Sequence, residues 1–557
     1  MIGTKSMLWR LTANGWVVST LIISLLVVLP LMVITPSLFV RGDEVWEHIL
    51  HRLVPGYVLN TVILMIGVGL LTTIFGLGAA WLVTMYQFPG RRIFQWALIL
   101  PIAIPAYISG FTWAGILDYT SPVYVFFRNS FGVDTGPYLF FNILSLPGAI
   151  IILSLSLYPY VYLITRAYFL RQSTILFEAS ASLGRKPLAT FFKVVLPLSR
   201  PALVAGVSLV LMEVLNEYGL VRYFGVDTFT TGIFTAWFAF GSPASAMKLS
   251  TYLMMIVFGL ILLERYQRRQ KRYDLIGSNY RPVKPRHMSA VASTLAILFC
   301  MIPLAAGFVI PATMLGYWSL QTAGQVIDFR FWELLRNSFL LASTASLLVA
   351  CIALLIAFTS RTFPGMFVRL LARTSTIGYA IPGAVVAIGI MVFILWMEQQ
   401  SQTWLPGTQV VLTGSIGILV FAYIVRFMAV GYNPIESGMA RISTSLDEAA
   451  RSLGHSNWRN LWHINIPLLK GSLVSAVLLV FIDVLKELPI TLILRPFNFD
   501  TLAIRAFEYA SDERIAEAAP AALIIILVGL IPVFLLNRLM GRSEGRRSKV
   551  ERKKLIR

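Results

Sequence analysis

The chain has few charged residues, and this scarcity excludes a soluble globular protein. Of its 557 residues, 13% are charged and 57% are hydrophobic, with a mean hydropathy of +0.76. An average soluble domain has about 25% charged residues. Cysteines are also scarce: Cys300 and Cys351 both fall inside apolar runs. Neither a disulfide framework nor a metal cluster can be argued from them.

Catalytic and nucleotide-binding motifs are missing as well. The five histidines show no metal-ligand spacing, and no nucleophile–base pattern is evident. The sequence therefore does not support a membrane enzyme, and it identifies no catalytic residue and no metal ligand. It contains no G-x-x-x-x-G-K-[ST] loop of the kind that holds nucleotide phosphates. We therefore expect no cofactor on this chain and no hydrolysis of ATP by this chain alone.

Long apolar runs are what the sequence has in abundance. A helix needs about 20 apolar residues to cross the hydrocarbon core of a bilayer. The runs predict an all-α integral membrane protein with about twelve transmembrane helices. They lie near residues 16–38, 58–86, 95–117, 146–170, 200–221, 246–263, 291–315, 334–358, 373–398, 408–430, 471–494 and 518–537.

The basic residues predict the orientation of these spans, because positively charged loops stay in the cytoplasm. With the N-terminus inside, 35 of the 46 Lys and Arg fall in inner segments, including five from Arg426 to Lys470. We therefore expect a multi-pass protein of the bacterial inner (cytoplasmic) membrane with both termini in the cytoplasm. The net charge of +20 then reflects loops that lie against anionic lipid, so lipid is an expected partner and nucleic acid is not. Three tryptophans are interpreted as lipid-facing or interfacial anchors: Trp81, Trp96 and Trp113.

One polar motif occurs twice between apolar runs. L-F-E-A-S-A-S-L-G from Leu176 to Gly184 recurs 270 positions later as L-D-E-A-A-R-S-L-G from Leu446 to Gly454. Further repeated pairs are F-P-G at 88–90 and 363–365, I-P at 104–105 and 381–382, and M-E-V-L-N-E at 212–217 with I-D-V-L-K-E at 482–487.

These pairs divide the chain into two six-helix repeats. An even number of spans in each repeat makes the repeats parallel, so both motif loops face the same side, the cytoplasm. The predicted segments are a first repeat at 1–265 with a coupling loop at 172–200, a cytoplasmic linker at 266–289, a second repeat at 290–540 with a coupling loop at 436–470, and a basic cytoplasmic tail at 541–557.

Each motif loop predicts a helix–glycine–helix elbow. Helix-compatible residues end at a glycine, which accepts the left-handed conformation that closes a helix. A proline then precedes the next span, where proline suits a helix start. An ordinary interfacial hairpin is the alternative for one copy, but two matching copies disfavour it. The elements are helices at 172–183 and 442–453, Gly184 and Gly454, and Pro197 and Pro467.

The loops resemble the E-A-A…G…L-P signature of ABC-transporter permease subunits of the binding-protein-dependent importer type. In that family the elbow inserts into a cleft on a cytoplasmic ATPase. The resemblance implies two copies of such an ATPase, which bind ATP and Mg²⁺, and a periplasmic or surface-tethered substrate-binding protein. The first copy departs from the signature only at Ser180, a conservative change. The matching positions are Glu178, Ala179, Gly184, Pro197, Glu448, Ala449, Gly454 and Pro467.

The segments at 212–234 and 484–502, with those at 100–111 and 510–514, are similar to ferric-iron permeases. That resemblance implies ferric iron as the cargo. Related permeases for thiamine, phosphonates or polyamines share part of this text and remain alternatives. A secondary transporter also fits twelve spans in two parallel halves. It has no reason to keep a Glu-Ala…Gly…Pro elbow in both halves.

Four carboxylates fall within the fifth and eleventh predicted spans. Each pair is spaced by four residues, which predicts one shared helical face. An ionised group at the bilayer centre costs about 2.5–3.5 kcal/mol, so such groups usually face protein or water. They either line a path for a hard cation, which prefers oxygen ligands, or lock helices together with Lys486, Arg222 or Arg495. The four are Glu213, Glu217, Asp483 and Glu487.

Overall fold

The computed structural model describes residues 14–131, 142–170, 172, 182–184, 187–269, 285–404, 411–532 and 534. The described chain is almost entirely helical. The helices of its first half are α1 Gly15–Ile34, α2 Glu44–His48, α3 Val54–Met85, α4 Arg91–Ala97, α5 Ala106–Ile116, α6 Pro122–Phe131, α7 Leu146–Phe169, α8 Pro187–Thr190, α9 Leu196–Asn216, α10 Gly219–Tyr223, α11 Phe229–Phe234 and α12 Pro243–Arg269.

The second half repeats this order of long and short helices. Its helices are α13 Ala290–Leu304, α14 Ile310–Val326, α15 Phe329–Thr362, α16 Met366–Ser375, α17 Gly383–Trp404, α18 Ile416–Met439, α19 Thr444–Ser452, α20 Asn457–Asn460, α21 Ile466–Leu485, α22 Pro489–Leu494, α23 Leu502–Ser511 and α24 Ile515–Pro532. Two short parallel strands, β1 Tyr86–Gln87 and β2 Arg286–His287, join the end of α3 to the end of the linker.

The membrane spans agree with the sequence prediction. Within the described residues, eleven helices are long and apolar enough to cross a membrane. A twelfth span is a broken one, in which Arg91–Ala103 and Ala106–Ile116 meet at 93°. The predicted fold class, an all-α membrane protein with about twelve spans, is therefore confirmed.

Several spans are broken where the sequence alone predicted continuous helices. The third breaks at the I-P pair 104–105, because proline has no N–H to donate and restricts the residue before it. The fifth and eleventh spans end at Asn216 and Leu485, and new short helices follow. The prediction that each carboxylate pair shares a helical face is therefore wrong, since Glu217 and Glu487 lie beyond those helix ends.

Two π-helical segments lie at equivalent places, Phe191–Val195 and Leu461–Asn465. In each, the N–H that follows the segment reaches back five residues, as Ile466 does to the carbonyl of Leu461. Pro197 and Pro467 stand at the second position of the next helix and have no N–H to continue an α-helical ladder. In both repeats, the wide π-helical turn therefore lies where proline interrupts the α-helical hydrogen bonds.

The helices form two compact units whose composition differs from the sequence repeats. One unit takes residues 1–53, 232–254 and 327–505, and the other takes 54–231, 255–326 and 506–557. Helix α1 therefore packs with second-repeat helices, and α13 and α14 pack with first-repeat helices. The repeat boundaries at 265 and 290 stay a prediction about the sequence.

Each unit has a three-helix centre with close backbone approaches. In the first unit α15, α18 and α21 pack together, and α1 packs on α16 and α17. A Cβ on Gly389 of α17 would stand 2.5 Å from the carbonyl oxygen of Pro30 in α1, so only glycine allows this approach. In the second unit α3, α7 and α9 form the centre, and a Cβ on Gly76 would meet Val161 at 2.7 Å.

Candidate functional site

The second elbow lies entirely within the described residues. Helix α19 begins after Ser443, whose hydroxyl accepts a hydrogen bond from the N–H of Ser445 at 3.3 Å. It ends at Ser452, Leu453 is its C-cap, and Gly454 follows with φ +78°. Helix α20, capped by Ser456, then leads through the π-helical segment into α21. This is the helix–glycine–helix arrangement that the sequence predicts.

The first elbow is described only in part. Glu178 and Ala179 lie outside the described residues. Gly184 has φ +69°, and Pro197 stands at the start of α9. A Cβ would meet no atom within 4 Å at Gly184 or at Gly454, so the backbone angle, not space, requires glycine at both.

A buried carboxylate holds the base of the second elbow. Asp447, in the first turn of α19, is 7% exposed. Its Oδ2 accepts a hydrogen bond from Nε of Arg361 at 2.6 Å. Its Oδ1 accepts from the side-chain amides of Asn460 at 3.0 Å and Asn465 at 3.3 Å. We call these four residues the Arg361–Asp447 network.

The remaining Arg361 donors reach the end of α18. Its Nη1 donates to the carbonyl of Met439 at 2.5 Å, and its Nη2 donates to those of Ile442 at 3.0 Å and Ser443 at 3.1 Å. A cation is favourable at the negative end of a helix dipole, and an anion such as Asp447 is favourable in a first turn. One guanidinium therefore ties together the ends of α15, α18 and α19.

The charge of Asp447 is maintained at neutral pH. Burial acts to raise the pKa of this carboxyl, but the hydrogen bonds from Arg361, Asn460 and Asn465 outweigh it. The net result is a pKa below the usual value for an aspartate. The network is therefore an ion pair under physiological conditions.

Sequence reasoning did not single out this network. The signal that reveals it is a mismatch between the two copies of the motif. At the 270-residue offset, Phe177, Thr190 and Val195 stand where the second copy has Asp447, Asn460 and Asn465. Tyr86 and Arg361 each stand two residues before F-P-G. Positions that are identical in the two copies indicate the elbow that both repeats share. Positions that differ between the copies indicate the residues that hold the second elbow in place.

The described residues that flank the first elbow pack in an aromatic cluster, which we call the base of the first elbow. The ring of Trp81 lies 5.6 Å from that of Phe191, 5.9 Å from Phe169 and 6.0 Å from Tyr86, between centroids. Val195 is 2% exposed and belongs to the same apolar cluster. Trp81 is half-buried and one side of it packs within the protein, while its interpretation as a lipid-facing or interfacial anchor stays a prediction.

Both elbows present apolar side chains at their surface. Leu183 and Leu453, each just before the elbow glycine, are 78% and 79% exposed. Trp458 and Trp462 add exposed rings to the second elbow, where Glu448 and Ala449 are exposed as well. Exposed apolar groups gathered on one short segment are typical of an interaction surface.

The intramembrane carboxylates have defined hydrogen-bond partners. Oε1 of Glu217 accepts from the N–H of Leu220 at 2.9 Å, and Oε1 of Glu487 accepts from the N–H of Ile490 at 3.2 Å. Each carboxylate thus caps the short helix that follows it.

A third carboxylate of this set forms an ion pair. Asp483 pairs with Lys486 at 2.8 Å, one of the neutralising partners that the helix-lock interpretation names. Arg495, another, forms an ion pair with Asp500. Glu213 is half-buried. A role of the four carboxylates in translocation stays a prediction.

One buried cation stands apart from its predicted place. Arg426 was expected among inner-loop basic residues, but it lies within α18 and is 5% exposed. It donates to the carbonyls of Tyr379 at 2.8 Å and of Ile381. These carbonyls lie in the connection between α16 and α17, outside either helix, so the guanidinium satisfies backbone groups that lipid cannot.

The described residues hold no group of three or more His, Cys, Asp and Glu side chains that could bind a metal ion. Cys300 is buried, Cys351 is exposed, and neither is in a disulfide.

Comparison with known proteins decides the family. The family described as the binding-protein-dependent transport system inner membrane component matches residues 15–272 and 350–548. The chain belongs to this family. It is a multi-pass permease subunit of an ABC importer in the inner membrane, a transport protein that works with an ATPase and a substrate-binding protein. The resemblance drawn from the sequence is confirmed.

Three relatives define the extent of the similarity. The Fe(3+)-transport system permease protein FbpB 2 of Haemophilus influenzae is 28% identical over 489 residues, 86% of this chain and 89% of the relative. The ferric transport system permease protein FbpB of Actinobacillus pleuropneumoniae is 25% identical over 546 residues, 92% and 76% of the two chains. The sulfate transport system permease protein CysT of Salmonella typhimurium is 27% identical over 263 residues, 45% of this chain and 92% of its own. The two ferric permeases therefore match most of this chain, and the sulfate permease matches less than half of it.

Proposed function

We propose that this permease moves ferric iron from a periplasmic or surface-tethered binding protein into the cytoplasm. The observation that carries the proposal is the similarity over both repeats to two permeases named for ferric iron. Another small solute, such as thiamine, a phosphonate or a polyamine, is the alternative cargo. The match to a sulfate permease covers one repeat only and gives weaker support for a different substrate.

ATP and Mg²⁺ bind, in this proposal, to two copies of a separate cytoplasmic ATPase, one at each elbow. The sequence supports this because it has no phosphate-binding loop but carries the elbow motif twice. Gly184 and Gly454 both have the left-handed backbone conformation that closes a helix. Leu183 and Leu453 provide an exposed apolar contact beside each glycine.

The proposed orientation places both termini and both elbows in the cytoplasm. The distribution of Lys and Arg supports it, because basic segments are retained on that side. The elbows then face the ATPases, and the acids at the far ends of α9 and α21 lie toward the opposite side. The four intramembrane carboxylates either line the path of the cation or hold together the helices that surround it.

The elbow motif residues act, in this proposal, by shape. Ala179 and Ala449 keep the elbow helix narrow, Glu178 and Glu448 offer charge to the partner, and the prolines Pro197 and Pro467 start the following span. Closure of the ATPases on ATP displaces each elbow as a rigid body. The displacement passes into the fifth and eleventh spans, which alternates access to the two sides of the membrane.

Reconstitution in liposomes tests this proposal. Purified chain, with or without its partner ATPase, is given the iron-loaded binding protein and radiolabelled ferric citrate. We expect uptake only with the ATPase and ATP. Uptake driven by an ion gradient without the ATPase would show a secondary transporter instead, and ATP-driven uptake of thiamine but not iron would show the alternative cargo.

The elbows are tested by Gly184→Val with Gly454→Val. A β-branched residue resists the left-handed conformation, which costs an ordinary residue about 1–2 kcal/mol, so uptake is expected to be lost while membrane insertion remains. Gly241→Val is the matched control, because Gly241 also has a positive φ of +57° with open space around it but lies outside both elbows. Normal uptake in the double variant would contradict the coupling role.

A further inference from the structure

The second elbow has an ionic base that the first elbow does not share in sequence. We propose that Arg361 and Asp447 are positioning residues. They fix the orientation of the second elbow relative to the helices of its unit, so that motion of the ATPase is transmitted in full to the membrane spans. The inference rests on the proposed function, since it deepens the role given to that elbow.

The contacts join every element that the elbow must move. Asp447 belongs to α19, which is the elbow helix, and Arg361 lies at the end of α15. Asn465 is the last residue of the π-helical segment that leads into α21, and Met439 ends α18. Through one carboxylate and one guanidinium, the elbow is therefore connected to three long helices of its unit.

The hydrogen bonds of this network fix direction as well as distance. Arg361 uses Nε, Nη1 and Nη2 together, and Asp447 uses both of its oxygens. A planar guanidinium with several fixed donors holds its partners in one geometry, which an ammonium cannot do. Rotation of α19 about its axis would break several of these bonds together.

Stability alone does not account for a pair of buried charges. Removing two ions from water offsets most of their attraction, and apolar residues in their place are often equally stable or more stable. In the first repeat Val195 stands at the position of Asn465, and it lies in an apolar cluster with Phe191 and Trp81. Apolar packing is non-directional and permits small rotations, whereas the network does not. The structure therefore assigns the ion pair to positioning.

The test uses the full chain assembled with its ATPase in liposomes and measures iron transported per ATP hydrolysed. Asp447→Asn is nearly the same size but removes the charge. We expect a fall in this ratio of roughly tenfold or more, because the charge-assisted bond from Arg361 to the elbow helix is lost and the helix can then rotate. Arg361→Lys, which keeps the charge but loses the fork, is expected to lie between this variant and the wild type. Arg369→Lys is the control, an exposed arginine on α16.

A second measurement reports position without activity. Spin labels on Ser452 of α19 and Met366 of α16, both exposed, give the distance between the elbow helix and the start of α16 in the same unit. We expect one narrow distance distribution in the wild type and a broad one in Asp447→Asn. An unchanged distribution with an unchanged transport ratio would overturn the inference.

The Gly454→Val variant distinguishes failure of this inference from failure of the proposed function of the elbow. If it abolishes uptake while Asp447→Asn changes neither the ratio nor the distances, the elbow couples but the network does not position it. If Gly454→Val also leaves uptake intact, the proposed function of the elbow itself is wrong.

Discussion

The two elbows share an outline but stand on different bases. Each has a left-handed glycine, an exposed leucine before it, a π-helical segment and a proline two residues into the next helix. Beneath the first, aromatic rings pack around Trp81; beneath the second, Asp447 is held by Arg361 and two asparagines. The shared parts are those that a common ATPase would have to meet. The parts that differ face the chain's own helices.

This difference separates recognition from mechanical support. A surface that binds two copies of one partner must keep its shape in both repeats. The residues that pack beneath this surface can differ between the repeats, provided that they still hold the elbow against its own helices. Aromatic packing gives area and stability, and a buried ion pair gives direction at little net gain in stability. The four expected results below follow from that distinction, from the largest effect to the smallest.

Trp81→Ala is expected to have the largest effect on stability, because the first elbow depends on packing. Losing a fully buried Trp costs about 3–5 kcal/mol, and Trp81, which is half-buried, should approach the lower end of that range because its ring packs against three aromatic rings. Thermal unfolding of the purified chain in detergent measures the loss. Trp332→Ala, at a site that is 60% exposed, is the control and should change little. Equal melting temperatures for the two variants would contradict the claim that aromatic packing stabilises the base of the first elbow.

Converting the second base into the apolar type tests the ionic half. Asp447→Ala alone should cost about 3 kcal/mol, because Arg361 loses its ion-pair partner and the buried amides of Asn460 and Asn465 lose an acceptor. The double variant Arg361→Met with Asp447→Leu should return to within about 1 kcal/mol of the wild type, since apolar replacement removes both desolvation costs. Unfolding in detergent distinguishes the two. A double variant less stable than the single one would mean that the pair is primarily a stability device.

Much of this architecture could be predicted from the sequence. Apolar runs gave the number of spans because a bilayer requires about 20 apolar residues per helix. The repeated Glu-Ala…Gly…Pro motif gave both elbows, and Gly454 closes its helix with φ +78° as expected.

The errors have one physical source. Periodicity does not reveal where a helix stops inside a long apolar run, so the ends at Asn216 and Leu485 were missed. Nor does it reveal tertiary partners, so Arg426 was assigned to a loop. The contact between Arg361 and Asp447 joins residues 86 positions apart, which no local pattern indicates.

A smaller difference between the elbows concerns helix capping. Ser456 caps α20 by accepting from the N–H of Arg459 at 3.3 Å, whereas the first copy has Lys186 at this position, which cannot accept such a bond. Ser456→Ala should therefore cost about 1 kcal/mol. Thermal unfolding measures it against Ser452→Ala, an exposed site within α19. If both variants melt together, the cap contributes nothing to the second elbow.

The smallest effect is that of pH. The pKa of Asp447 is lowered in the folded protein, so its stabilisation is complete above the unfolded pKa and is lost as pH falls through the folded pKa. The stability difference between wild type and Asp447→Asn should be constant from pH 8 to pH 5 and disappear only below about pH 4. Melting temperatures across this range provide the check. A difference that shrinks near pH 6 would indicate a raised pKa and a weaker pair.

Cross-linking tests the central claim most directly, namely that both elbows of this chain meet an external ATPase. In a Cys300→Ala, Cys351→Ala background, Leu183→Cys and Leu453→Cys place one thiol on each exposed elbow. With the ATPase present, a cysteine-reactive cross-linker should join each elbow variant to the ATPase, and Leu320→Cys, an equally exposed site away from both elbows, should not be joined. Cross-linking of the ATPase to one elbow only, or to neither, would contradict the account.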